Sequence, residues 1–152
     1  MGQGYCCHIN VTVANEGDYT ETFNITVYAN ATSIATQTVT LTSGNSTTIT
    51  FTWNTSGFAK GNYTISAYAW PIPGETDTAD NRLVDGVVTV ALVGDVNADG
   101  IVDIADIYSI ALSYGTTIGT PQYKPNLDIN DDGIIDIADI YTTALHYGET
   151  DP

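Results

Sequence analysis

Positive charge is nearly missing from this 152-residue sequence: three Lys and Arg stand against 18 Asp and Glu, for a formal net charge of −15. Lys60, Arg82 and Lys124 cannot build the cationic footprint that phosphate backbones or anionic lipid require, which argues against nucleic acid and membrane surfaces as partners. No apolar run reaches 18 residues, so no helix is expected to insert in a bilayer. The opening Met1-Gly2-Gln3-Gly4-Tyr5 has neither the basic nor the apolar region of a signal peptide, and the sequence reads as a trimmed fragment of a longer secreted protein. Cysteine is limited to Cys6 and Cys7. Adjacent residues make a poor disulfide with each other, and C-C lacks zinc spacing even with His8 beside it. They read as small apolar residues near the start, with free thiols, a vicinal bridge or links to other chains left open. His8 and His146 are the only histidines. With no G-x-S-x-G, Cys-His or three-ligand zinc pattern, no catalytic machinery is expected.

What the sequence does contain is a duplication. Asp95–Gly115, DVNADGIVDIADIYSIALSYG, and Asp128–Gly148, DINDDGIIDIADIYTTALHYG, agree without a gap at 15 of 21 positions. Each follows D-x-N-x-D-G-x-x-D-x-x-D, placing side-chain oxygens at loop positions 1, 3, 5, 9 and 12 and glycine at 6. Such spacing lets a 12-residue loop wrap six to eight oxygens around Ca²⁺. The expected ligands are Asp95, Asn97, Asp99, the backbone carbonyl of Ile101, Asp103 and Asp106, then Asp128, Asn130, Asp132, the carbonyl of Ile134, Asp136 and Asp139. Two Ca²⁺ ions are the implied cofactors. Gly100 and Gly133 would supply the positive-φ turn. An acidic Asx-rich turn is the alternative for one such loop; two copies in register argue against it.

Residues 1–93 differ from 94–152, and a two-domain division at that point is expected. The first region carries Lys60 and Arg82 against seven acids, the second Lys124 against eleven. Strict alternation at Ile9-Val11-Val13, Phe23-Ile25-Val27-Ala29, Ile49-Phe51-Trp53, Tyr63-Ile65-Ala67-Ala69 and Val88-Val90-Leu92 gives half-buried strands. A weaker sixth strand is expected over Ser33–Leu41. Turn clusters at Asn15–Asp18, Ser43–Ser46, Gly57–Gly61 and Pro71–Asp80 separate them, the spacing of an Ig-like β-sandwich. Glu75, Asp77 and Asp80 in the last cluster read as a turn, with a third cation site as the sharper alternative. The fold class is thus mainly β plus small α.

N-x-S/T occurs at Asn10, Asn24, Asn30, Asn45, Asn54 and Asn62, six of the eight Asn residues in the first region. Ser and Thr make up about a quarter of that region, so chance would give about two. Possible N-linked glycans and an extracellular or cell-surface location follow from this excess.

Two apolar stripes are expected on each helix after the loops, about Asp103–Tyr114 and Asp136–Tyr147. Ile107, Ile110 and Tyr114, with Ile140, Ala144 and Tyr147, are assigned to the core. Ile104, Tyr108 and Leu112, with Ile137, Tyr141 and Leu145, form a second stripe that two helices cannot also bury.

The stretch from Asn10 to Val93, with N-V-T-V-A-N-E-G-D-Y, W-N-T-S-G-F-A-K-G-N-Y-T-I-S-A-Y-A and P-G-E-T-D-T-A-D-N, resembles the CARDB cell-adhesion-related domains of archaeal and bacterial surface proteins. Residues 94–148 resemble a dockerin, the duplicated calcium-loop module that plugs into cohesin domains. That resemblance implies a cohesin-like protein domain as partner. It assigns recognition to Ile104, Ala105, Ala111 and Leu112, and to Ile137, Ala138, Ala144 and Leu145. Many dockerins carry hydroxyl pairs at the first two of these positions, so the Ile-Ala pair implies a more hydrophobic interface. The alternative partner is other copies of the same chain in a calcium-stabilised, glycosylated filament or layer. A carbohydrate-binding domain would need an aromatic platform from Trp53 or Trp70.

Overall fold

The computed structural model describes residues 1–151, and the chain divides into two compact units. One holds Cys6–Asn54 and Asn62–Val88; the other holds Met1–Tyr5, Thr55–Gly61 and the described residues from Thr89 onward.

The first unit is built from strands β1 (Cys6–Ala14), β2 (Glu21–Ala29), β3 (Thr32–Leu41), β4 (Ser46–Asn54), β5 (Gly61–Ala69) and β6 (Arg82–Val90). They form a two-stranded sheet, β1-β4, and a four-stranded sheet in the order β3-β2-β5-β6. Alternation decides which face is covered, because successive strand side chains point to opposite faces. Val11, Ile25, Val27, Ala29, Leu41, Phe51, Trp53 and Ile65 are buried. Phe51 and Trp53 are 1% exposed, and burying each stabilises the sandwich by roughly 1.5–3 kcal/mol. The Trp53 ring meets Tyr63 of β5 edge-on, with centroids 5.6 Å apart. The Thr-rich Ser33–Leu41 stretch is a full strand, antiparallel to β2, with a register shift at Val27/Tyr28.

Opposite faces carry hydroxyl and amide ladders. Thr12 bonds Thr48 and Thr22 bonds Thr40, each at 2.8 Å, and Thr50 Oγ1 donates to Asn10 Oδ1 at 2.7 Å. Such directly opposed Thr pairs support a register already set by the buried face. Asn15 is different in kind. It is buried, donates Nδ2 to the Tyr19 and Leu41 carbonyls, and accepts the Gly17 N–H. The turn after β1 is tied by this side chain.

In the second unit the two helices are α1 (Ile104–Leu112) and α2 (Ile137–Leu145), each nine residues long. Asp103 and Asp136 are their N-caps, accepting the Ala105 and Ala138 N–H groups at 2.7 Å in full capping boxes closed by Asp106 and Asp139. Helices this short do not persist on propensity alone. The caps and the core of Ile110, Leu127 and Ile135 define their ends and their inner face.

That inner face differs by about one position from the expected core stripe. Ile110 is buried and Ile107 and Ile140 are half-buried, but Tyr114 is 55% exposed, Tyr147 is 57% exposed and Ala144 is exposed. The buried positions are Asp106 and Ile110 on α1 with its C-cap Ser113, and Asp139 and Thr143 on α2. The loop's last carboxylate turns inward, and the residues four and seven positions later follow it round the helix. A hydrophobicity pattern cannot show this, because the inward residue is charged.

Candidate metal centre and partner face

The two loops repeat each other bond for bond at an offset of 33 residues. Asp106 Oδ1 accepts the Val96 N–H at 2.9 Å and Oδ2 the Asp103 N–H at 2.9 Å; for Asp139 the donors are Ile129 at 2.7 Å and Asp136 at 2.8 Å. Asp95 accepts Asp99 N–H at 3.2 Å and Gly100 N–H at 3.0 Å, and Asp128 accepts Asp132 and Gly133 at 3.2 and 2.8 Å. Asp99 and Asp132 take the N–H of Ile101 and Ile134, both at 3.0 Å. Gly100 and Gly133 have φ of +90° and +86°, as expected, and Ala98 and Asp131 at loop position 4 are also left-handed, at +59° and +58°. Nothing in the sequence announces that conformation at Ala98, since alanine rarely adopts it.

Each loop is also clasped by the segment that follows the other helix. Gly115 and Ile118 N–H groups donate to the Ile135 and Gly133 carbonyls, and Ile135 N–H returns to Thr116. In the other half Gly148 and Asp151 donate to Val102 and Gly100, and Val102 returns to Glu149. All six bonds lie between 2.7 and 2.9 Å. Neither half holds its loop alone.

Charge is what makes the loops a candidate metal centre. Asp106 and Asp139 are wholly buried, Asp95 is 5% exposed and Asp128 6% exposed. Among the described residues none of the four pairs with a Lys, Arg or His side chain; Lys60 pairs with Asp151, and the His146 ring meets Glu149. Backbone N–H groups reach both oxygens of each carboxylate, and Oδ1 of Asp106 and Asp139 takes a second, longer one from Asn97 and Asn130 at 3.4 Å, while Oδ2 of Asp106 and Asp139 and both oxygens of Asp95 keep a lone pair open. A buried carboxylate without a counter-charge is costly, so this donor set fits a hard cation that takes only oxygen ligands. Among the described residues no three His, Cys, Asp or Glu side chains already converge as a metal cluster. The expected donor sets are mixed, and Asn97 and Asn130 remain within them, their amides bonded to Asp99 and Asp132 at 2.8 Å. One residue that sequence reasoning missed is Tyr123. Its hydroxyl donates to Asp128 Oδ2 at 2.6 Å, and burial, that bond and the negative charge of Asp128, Asp131 and Asp132 push the phenol above its ordinary range.

The second apolar stripe is on the outside. Ile104, Tyr108 and Leu112 are 64%, 62% and 69% exposed, and Ile137, Tyr141 and Leu145 are 63%, 62% and 63% exposed. Ala105, Ala111 and Ala144 are exposed as well, whereas Ala138 is half-buried. So much exposed aliphatic and aromatic surface at matched positions of two helices is unusual for a solvated face.

Comparison with known proteins bears on the strand-rich unit. Residues 2–71 match the CARDB family model. That match covers most of the sandwich and less than half of the chain. Among solved structures the chain is similar to the CARDB domain of a Pyrococcus furiosus protein in complex with di-metal ions, at 25% identity and a TM-score of 0.50, covering 59% of this chain and 78% of that one. A domain from Methanosarcina acetivorans, described as part of a cell surface protein, is 29% identical over 53% of this chain and 73% of that chain, with a TM-score of 0.44. A chain of an interface mutant of a type II cohesin–X-dockerin complex from Acetivibrio cellulolyticus is 20% identical over 84% and 83% of the two chains. Its TM-score of 0.35 establishes neither fold nor partner. No match was found among curated proteins.

Similarity to CARDB domains is in keeping with an extracellular, adhesion-related module. No helix is long and apolar enough to cross a membrane among the described residues. Within the sandwich, Trp53 is buried and unavailable as a sugar platform. Trp70 is 50% exposed, stacked edge-on against Tyr68 at 5.5 Å and anchored through Nε1 to Thr26. One anchored ring is a small platform for a sugar. In the Pro71–Asp80 segment Glu75 accepts Ile72 N–H and Asp77 accepts Ala79 N–H, the bonds of a turn. Neither Cys6 nor Cys7 is in a disulfide among the described residues, and Cys6 is exposed.

Proposed function

We propose that this chain is an extracellular attachment module in which a dockerin-like pair of loops binds two Ca²⁺ and thereby fixes an exposed Ile-Tyr-Leu face for a cohesin-like protein domain, with the CARDB domain as adhesive or spacer element. The observation that carries the reading is the coexistence, in each repeat, of buried carboxylates lacking a counter-charge and an exposed apolar stripe on the helix they cap. Asp106 and Asp139 close the capping boxes of α1 and α2, so an ion that holds these carboxylates in place would steady the first turn of the helix that presents the stripe. Bound calcium would supply positive charge against the cluster of carboxylates. The chain's own residues do the rest: position 12 orders the loop backbone, position 9 caps the helix, and the cross-clasp ties the two halves together. Because the halves are related by matched bonds, the face has a pseudo-twofold character that would accept a partner in either of two orientations.

A second reading is favoured by a separate observation. On β6, an edge strand, Leu83, Val84 and Val87 are 64%, 54% and 63% exposed. Exposed apolar edges pair with further strands, which suits a calcium-stabilised surface filament of this same chain. Light scattering coupled to size exclusion separates the two. A monomer in calcium that binds a cohesin-like domain supports attachment, and large calcium-dependent oligomers of the pure chain support the filament.

A further inference from the structure

We propose that the sandwich is N-glycosylated on its outer surface, at asparagines of the six N-x-S/T motifs. The structure separates the asparagines of that unit into two groups by environment. All six motif asparagines, Asn10, Asn24, Asn30, Asn45, Asn54 and Asn62, are exposed. The two that lack the motif are drawn inward. Asn15 is 7% exposed with its amide bonded to two carbonyls, and Asn81 is half-buried with its amide nitrogen inaccessible. If the motifs arose only from Asn and Thr being common in these strands, there would be no reason for them to follow solvent access so closely.

At two of the six the strands also orient the acceptor, whereas at Asn30 and Asn45 it is Nδ2 that donates, to the Asn62 carbonyl and to Thr42 Oγ1. Asn10 and Asn24 lie on outward faces of β1 and β2, and each is held through Oδ1, which accepts a hydroxyl proton from Thr50 at 2.7 Å and Thr38 at 2.6 Å. Oδ1 is thereby fixed against the sheet, and Nδ2, the atom that carries a glycan, is the free end of the amide. All six lie in the unit Cys6–Asn54 and Asn62–Val88. Asn97, Asn126 and Asn130 of the loop unit lack the motif altogether. Sugar would therefore coat the sandwich and leave the apolar helix face bare. That distribution suits an exported protein that must stay soluble while keeping one surface open.

The chemistry requires a glycan activated on a lipid phosphate and the transferase that reads N-x-S/T. Asparagine Nδ2 forms a bond to the anomeric carbon, the bond from that carbon to phosphate oxygen breaks, the lipid phosphate leaves, and one amide proton is lost to a base. Peptide mapping by mass spectrometry of the chain recovered from its own cells tests the proposal. Glycan masses are expected on at least two of the six motif asparagines and on neither Asn15 nor Asn81, so the intact chain exceeds its bare 16.2 kDa. Thr12→Val, at an exposed strand position, should remove sugar from Asn10 alone while circular dichroism stays unchanged. Unmodified peptides at all six positions, or modification at Asn10 that persists in Thr12→Val, would overturn it.

Discussion

Tyr123 donates its phenolic proton to Asp128 at 2.6 Å, and the residue 33 positions earlier, at the corresponding place before the first loop, is Val90. The loops match in their internal bonds, yet only the second has a side chain holding its first carboxylate from outside. This asymmetry ranks the two proposed calcium sites. Tyr123→Phe keeps the ring in the core beside Leu127 and removes one hydrogen bond to a charged group, an interaction of about 1.5–3 kcal/mol. Calcium affinity at the second loop should fall about tenfold or more while the first loop is unchanged. Site-resolved amide shifts during a calcium titration give the readout, and equal weakening of both loops would reject the assignment.

Asp106→Ala removes a wholly buried carboxylate that accepts loop N–H groups through both oxygens. The expected outcome is loss of one of two binding events in calorimetry and fraying of α1, since the capping box goes with it. Asp106→Asn removes the charge, keeps one acceptor oxygen and sets an NH2 donor against the N–H group on the other side. It should retain more of the helix than Asp106→Ala while still losing the ion.

Chain termination after Tyr147 deletes the segment that clasps the first loop. Three backbone bonds to Gly100 and Val102 disappear, worth about 2–4 kcal/mol together. The first loop should lose calcium affinity and its amides should exchange faster, while the second loop, clasped by Gly115–Ile118, keeps its protection. Equal loss in both halves would show that the clasp is not what couples them.

Thr143 is wholly buried on α2, and its hydroxyl has no hydrogen-bond partner. In the first repeat the same place holds Ile110. Thr143→Val replaces an unsatisfied hydroxyl by a methyl group of similar volume and should raise stability by about 1 kcal/mol, read as a higher melting temperature. At Gly94 the opposite holds. With φ at +89° and an added Cβ only 3.0 Å from the Thr143 Cα, Gly94→Ala should cost at least about 2 kcal/mol, whereas Gly115→Ala, at φ +81° in open space, should cost only the backbone term of about 1–2 kcal/mol.

Much of this was legible in the sequence for physical reasons that differ by region. Strand alternation at Ile25, Val27, Phe51 and Trp53 is short-range and unambiguous, so the sandwich and its core follow directly. The loops are legible because oxygen spacing and Gly100 or Gly133 leave few other readings. The inner face of the helices was not, because Asp106 and Asp139 face inward and hydrophobicity assigns aspartate to solvent. Tyr114 and Tyr147 were accordingly placed in a core they do not enter. The Tyr123–Asp128 bond and the cross-clasp were hidden for another reason. They join residues by three-dimensional return of the chain, with no local pattern to mark them. The D-x-x-D capping boxes could have been seen, since Asp103 and Asp136 stand three residues before Asp106 and Asp139 just ahead of an apolar run.

On the proposed function, the buried carboxylates of the two loops hold calcium and, through it, the exposed helix face. Titration calorimetry of the chelator-treated chain with calcium chloride, followed by circular dichroism at 222 nm, tests it most directly. Two binding events, a rise in helical signal, and its reversal by chelator while the sandwich's strand signal holds are the expected result. A titration with no heat beyond dilution and a helical signal indifferent to calcium would contradict it.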